Sequence, residues 1–192
     1  MSQHPISDRF RNIDFVFLDR DGVINKKAPE GKYTWRWADF HPQPGMESAI
    51  AALNRSGKRV IVITNQRGVA LGLYRLEDVA LFHTLLQKYL ESFGAHIDAF
   101  YVCPHDINQC NCRKPGTGLL QQAFRDFPAA STKNSVLIGD SLSDMQAARG
   151  FELPAIFIQN DSDSGRESRR SAASLATAVS ESLNNAVSDF LP

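Results

Sequence analysis

Two aspartates one residue apart, Asp19 and Asp21, follow directly on a run of four apolar residues, Phe15-Val16-Phe17-Leu18, and precede Gly22. Such a run, bounded by a turn signal, reads as a strand buried on both faces of a parallel sheet. Open α/β sheets bind ligands beyond the carboxyl ends of their strands, so both acids are released where chemistry takes place. Carboxylates at this spacing can hold a hard divalent cation. One can also attack a phosphorus atom while the other moves a proton. Asp-Gly is equally an ordinary turn signal, and the weight of the reading comes from residues elsewhere.

Three other apolar runs deliver polar residues in the same way. Residues 59–63 end in Thr64, residues 135–138 are followed by Asp140 and Asp144, and the loop after residues 97–102 carries Lys114. Transfer of a phosphoryl group is mostly a matter of positioning and of stabilising charge on its oxygens. Asp19 and Asp140, with the backbone carbonyl of Asp21, offer the oxygens that Mg²⁺ takes alongside water and phosphate. Thr64 and Lys114 can hold the phosphate from the other side, by hydroxyl and by point charge.

All three cysteines fall within ten residues. Cys103, His105, Cys110 and Cys112 supply four ligands in one loop, enough to close a tetrahedral Cys₃His zinc site with no open position. Such a site is structural, and it folds the loop that presents Arg113 and Lys114. Clustered thiols in an intracellular chain point to metal before disulfides.

The elements that must position these residues alternate in type. Helices are expected over residues 45–56, 77–93, 119–127 and 143–150, with apolar residues at 3.6-residue spacing. Strands are expected over 15–18, 59–63, 97–102, 135–138 and 155–158. This order predicts an α/β fold, a doubly wound parallel sheet with right-handed crossovers, in one domain with a core over about 13–158. Residues 25–44 are too long for a simple turn. The alternation of Tyr33, Trp35 and Trp37 suits a short hairpin arm beside the site. The Ser-, Asp- and Arg-rich residues 160–174 read as a linker, and 175–191 as a last helix. There is room for an arm between Asp21 and Thr64 but none for a helical cap, so the site is expected to be capless.

At 192 residues and 43% apolar, the chain can bury a sizeable core. Lys and Arg together equal Asp and Glu at 21 each, which gives no basic field for nucleic acid or a membrane surface. Residues 1–11 are polar and lack a signal-peptide core, which points to a cytoplasmic protein. It is expected to be a monomer or small homo-oligomer.

Asp19-Arg20-Asp21-Gly22, Thr64-Asn65-Gln66, Arg113-Lys114-Pro115 and Gly139-Asp140-Ser141-Leu142-Ser143-Asp144 resemble, in order, the four motifs of the haloacid dehalogenase (HAD) superfamily phosphatases. The resemblance implies a Mg²⁺-dependent phosphatase. Asp19 would be its nucleophile and Asp21 its general acid and base. Thr64 and Lys114 would bind the phosphoryl group, Asp140 would ligate the metal, and Asp144 would support it. The zinc-loop spacing followed by Cys-Arg-Lys-Pro is similar to two branches of that family, heptose bisphosphate phosphatases and histidinol phosphatases. The run Asn65-Gln66-Arg67-Gly68-Val69-Ala70-Leu71-Gly72 is closer to the first, whose substrate is a small phosphorylated sugar. Arg67 stands where that branch has serine, and its charge can reach a second phosphate or lie on the surface. A histidinol phosphatase would want an acid near the arm, such as Glu30 or Asp39. A catalytically silent binding protein would have lost an acid of the first motif, and both are present.

Overall fold

The computed structural model describes residues 10, 12–29, 31–159, 165–188 and 191. Six apolar segments form one all-parallel sheet: β1 (Phe15–Leu18), β2 (Arg59–Asn65), β3 (Ala99–Cys103), β4 (Ser135–Gly139), β5 (Ala155–Ile158) and β6 (Ala178–Ser180). Their order across the sheet is β3-β2-β1-β4-β5-β6. The chain builds outward from β1 to one side, then returns to place β4 on the other. A crevice therefore opens at the carboxyl ends of β1 and β4, where the winding reverses. The register sets Leu18 against Val62 and Ile138, so Asp19, Thr64 and Asp140 emerge at one level.

Side-chain alternation explains why these strands look uniformly apolar. Val16, Leu18, Val60, Val62, Val136 and Ile138 face the layer of α1 (Met46–Arg55), α2 (Leu76–Glu91) and α6 (Leu183–Ser188). Phe15, Phe17, Ile61, Ile63 and Leu137 face α3 (Gly118–Asp126), α4 (Leu142–Gly150) and α5 (Arg166–Leu175). Burying each such side chain contributes about 1.5–3 kcal/mol, which offsets the entropy of ordering the strands. A polar outward face is not available to either side.

Three sequence expectations are corrected. Residues 33–37 form no hairpin. Two isolated bridges, Asp21 with Asn25 and Asn25 with Pro42, close the base of the arm, and a 3₁₀ turn spans Trp37–Asp39. The rings pack onto the body instead of across a strand pair. Trp35 stacks on Tyr74 at 5.5 Å, and Trp37 stacks on Phe40 and meets Phe82 and Tyr89 edge-on. The expected linker is in large part α5. Its apolar contribution comes mainly from small alanines such as the buried Ala172, which packing makes stabilising but hydropathy undercounts. Residues 160–164 lie outside the described residues. The expected last helix divides into β6 and the short α6, because Ala178, Val179 and Ser180 pair with β5.

Candidate active site

Lys114 sits at the centre of the crevice. Its backbone is pinned to the end of β2 by Asn65, which donates from Nδ2 to the Lys114 carbonyl and accepts from the Lys114 N–H, both at 3.0 Å. The ammonium then meets Asp19 Oδ1 at 2.9 Å, Asp144 Oδ1 at 2.6 Å and the Ile63 carbonyl at 2.9 Å. Three partners match its three donors, in a place where the residue is 4% exposed. Burial alone would lower the Lys114 pKa, but Asp144 and Asp19 outweigh it and hold the amine above its ordinary value. Asp19 shows the reverse balance. Burial, aided by Asp144 and Asp140, pushes its carboxyl up to about 7 against the pull of Lys114.

Asp140 and Asp144 are positioned by the β4–α4 turn. Ser141 and Asp144 form a reciprocal capping box, in which the Ser141 N–H and hydroxyl donate to Asp144 Oδ2 and the Asp144 N–H donates back. That leaves Oδ1 of Asp144 for Lys114. Asp140 is buried and takes Lys27 Nζ at 3.1 Å. Oxygens of Asp19, Asp140 and Asp144 all lie within 4.8 Å of one another. Gly22, at φ 104°, passes so close to Asp140 that a Cβ would collide with its carboxylate. Gly22→Ala is therefore expected to displace Asp140 and cut kcat on the order of 10²-fold, the scale of ångström misplacement. A Mg²⁺ titration of activity on the folded variant checks this, and a wild-type activation curve would contradict it.

Asp21 is held apart from this cluster by its own donors. Arg20 contacts Oδ1 and Oδ2 through Nη2 and Nε, Asn25 donates to Oδ1 at 2.9 Å, and Gln66 donates to Oδ2 at 3.0 Å. The Gln66 amide also reaches Thr64 Oγ1, and its own oxygen accepts from Tyr74. Thr64, Gln66 and Asp21 thus form one network along the crevice. Arg20, Lys27 and Tyr74 were not singled out by sequence reasoning. A charged residue between Asp19 and Asp21 was the available signal for Arg20, whereas nothing local marks Lys27 or Tyr74.

Beyond β3, the loop draws Cys103, His105, Cys110 and Cys112 together. Sulfur–sulfur separations are 3.2–3.6 Å, and His105 Nδ1 lies 3.3 Å and 3.7 Å from two of the sulfurs. A zinc–sulfur bond of about 2.3 Å implies tetrahedral edges of about 3.8 Å, so this donor set has the chemistry and nearly the spacing of a closed zinc site. Arg67 does not turn into the crevice cluster; it pairs with Asp106 of this loop at 2.5 Å. Arg113 is half-buried, with Nη1 enclosed and lacking a hydrogen-bond partner among the described residues. Asp39 is paired with Arg36, and Glu30 lies outside the described residues.

Residues 14–179 match the family model described as polynucleotide kinase 3 phosphatase. A Mycobacterium bovis protein named D-glycero-alpha-D-manno-heptose-1,7-bisphosphate 7-phosphatase is 43% identical over 141 residues, covering 73% of this chain and 74% of that one. A Rhodopseudomonas palustris protein named for the beta anomer is 36% identical over 154 residues, covering 76% and 83%. Among solved structures, the D,D-heptose 1,7-bisphosphate phosphatase of B. bronchiseptica, complexed with magnesium and phosphate, superposes with a TM-score of 0.79. It is 27% identical and covers 92% of this chain and 97% of that one. No helix among the described residues is long and apolar enough to cross a membrane.

Proposed function

Because the chain belongs to the polynucleotide kinase 3 phosphatase family of HAD-type phosphatases, we propose that it hydrolyses the 7-phosphate of D-glycero-D-manno-heptose 1,7-bisphosphate. The observation that carries the reaction type is the insertion of Lys114 between Asp19 and Asp144 at the carboxyl end of the sheet, level with Thr64 and Asp140. The named relatives support the sugar.

Asp19 attacks phosphorus in line with the ester oxygen, and the P–O bond to carbon 7 breaks as the aspartyl-phosphate forms. Asp21 gives its proton to the departing alkoxide. It then takes a proton from the water that attacks the aspartyl-phosphate, releasing phosphate and restoring Asp19. Lys114 and the Thr64 hydroxyl hold the phosphoryl oxygens, while Asn65 and Gln66 keep those two groups in place. Asp19, Asp140 and the Asp21 carbonyl would hold Mg²⁺, which would supply positive charge to neutralise that of the phosphoryl group. Among the described residues no cap covers the crevice, so water reaches the intermediate, which favours hydrolysis over phosphoryl transfer to a second sugar.

Zinc at Cys103, His105, Cys110 and Cys112 holds the loop that carries Arg113 and Lys114. Cys110→Ser is expected to lose the metal and at least about 3 kcal/mol of stability, a fall in Tm of about 6–12 °C. Elemental analysis and a thermal melt check this, and an unchanged zinc content would refute the site.

The substrate is tested by phosphate release with Mg²⁺ from both heptose 1,7-bisphosphate anomers and from histidinol phosphate. A kcat/KM for one heptose anomer well above the others is the expected result. Preference for histidinol phosphate would overturn the sugar and leave the catalytic roles standing.

A further inference from the structure

Arg20 lies between the two catalytic acids in sequence, and its side chain is entirely buried. Its guanidinium grips Asp21 through Nη2 at 2.9 Å and 3.0 Å and through Nε at 3.3 Å. The same Nη2 donates to the Thr34 carbonyl, and the guanidinium lies 4.6 Å from the centroid of the Phe82 ring. The buried guanidinium divides Nε and Nη2 between the Asp21 carboxylate and the arm, while Nη1 is enclosed without a hydrogen-bond partner among the described residues. A second grip on Asp21 ends in the same place. Gln66 is oriented by the Tyr74 hydroxyl, and the Tyr74 ring packs against Tyr33 at 6.0 Å and Trp35 at 5.5 Å. Two of the three side chains that hold Asp21 therefore lead to residues 33–35; the third, Asn25, also donates to the Lys26 carbonyl.

We propose that Arg20 is a positioning residue that ties the aim of the Asp21 carboxylate to the seating of the arm at residues 33–35. This rests on reading Asp21 as the proton-transfer group. A lysine at position 20 keeps the charge but loses the planar two-point grip, so the carboxylate is held only by Asn25 and Gln66 and its link to Thr34 is lost. The step that suffers is protonation of a poor leaving group. A nitrophenolate leaves with little help from an acid.

The experiment compares wild type, Arg20→Lys, Asp21→Asn and the double variant, with Mg²⁺, on heptose 1,7-bisphosphate and on p-nitrophenyl phosphate. Arg20→Lys is expected to lose about 10²-fold in kcat/KM on the sugar and less than about tenfold on the aryl ester. In the Asp21→Asn background it should add little, because both changes remove one function. Tyr74→Phe, which removes only the hydroxyl that orients Gln66, should shift the same ratio in the same direction if Arg20→Lys does not fold. Equal loss on both substrates, or a loss that multiplies that of Asp21→Asn, overturns the proposal. A selective Asp21→Asn beside an unselective Arg20→Lys sinks the coupling alone. An Asp21→Asn variant impaired equally on both substrates sinks the acid assignment and the coupling with it.

Discussion

Asp19→Asn is expected to abolish turnover, with a loss on the order of 10⁴-fold or more, because it removes the atom that forms the covalent intermediate in the mechanism we propose. The amide has the shape of the carboxylate, so the surrounding contacts are largely kept. Asp19 Oδ1 accepts from the Arg20 N–H at 2.8 Å and contacts Lys114, and the amide oxygen can take over both bonds. Fold and zinc content should therefore stay as in wild type. Rapid-quench analysis should show no phosphoenzyme and no burst of product with an aryl phosphate. Residual turnover above about one per cent, with a phosphorylated residue elsewhere, would remove Asp19 from its role.

Lys114→Met should cost both activity and stability. The ammonium is the shared partner of Asp19 and Asp144, and neither acid has a second cation within ion-pair distance among the described residues. Removing one member of a buried ion cluster leaves the others uncompensated, at about 3–5 kcal/mol. The acids can relieve this by taking up protons, which sets the pH dependence. Asp19 already titrates at about 7, above its ordinary 3.8, so the folded state of the metal-free protein binds a proton that the unfolded chain has released. The Asp19 contribution to stability without Mg²⁺ therefore falls as pH rises from about 4 to about 7, while His83, pushed down to about 3 by burial, contributes a rise that ends near pH 6.5. In Lys114→Met the missing positive charge raises Asp19 further, so its contribution should go on declining beyond pH 7, where the wild type has levelled off. Thermal melts of both proteins across pH 4–9 with and without Mg²⁺ test this. A variant whose Tm follows pH as the wild type's does would show that Lys114 does not neutralise the pair.

Much of the site was legible because its chemistry is attached to strand ends. Asp19, Thr64 and Asp140 follow apolar runs, and a parallel sheet brings such positions to one edge whatever the loops do. The cluster of Cys103, His105, Cys110 and Cys112 was legible for a different reason, since its members lie within ten residues and local chain geometry suffices to gather them. Arg67 illustrates the limit. It sits in the run that follows Thr64, yet its partner Asp106 is 39 residues away, and a pairing across that distance is invisible to spacing.

The arm and the tail were misread for a common physical reason. Alternation at Tyr33, Trp35 and Trp37 matches a strand, but those rings found stronger partners in Tyr74, Phe40 and Phe82 than in a second strand. Likewise α5 is polar by composition and is held by a few close-packed alanines. The amino-acid sequence alone determined the alternation of strands and helices, the parallel sheet, the placing of Asp19, Thr64 and Asp140 at strand ends and the clustering of Cys103, His105, Cys110 and Cys112, because each depends on local periodicity or short spacing. Only the tertiary structure decided where the charges go: Arg20 onto Asp21 and Thr34, Lys27 onto Asp140, and Lys114 between Asp19 and Asp144. Ion pairing in a buried crevice follows from which loops meet there, and that is set by packing across the whole sheet.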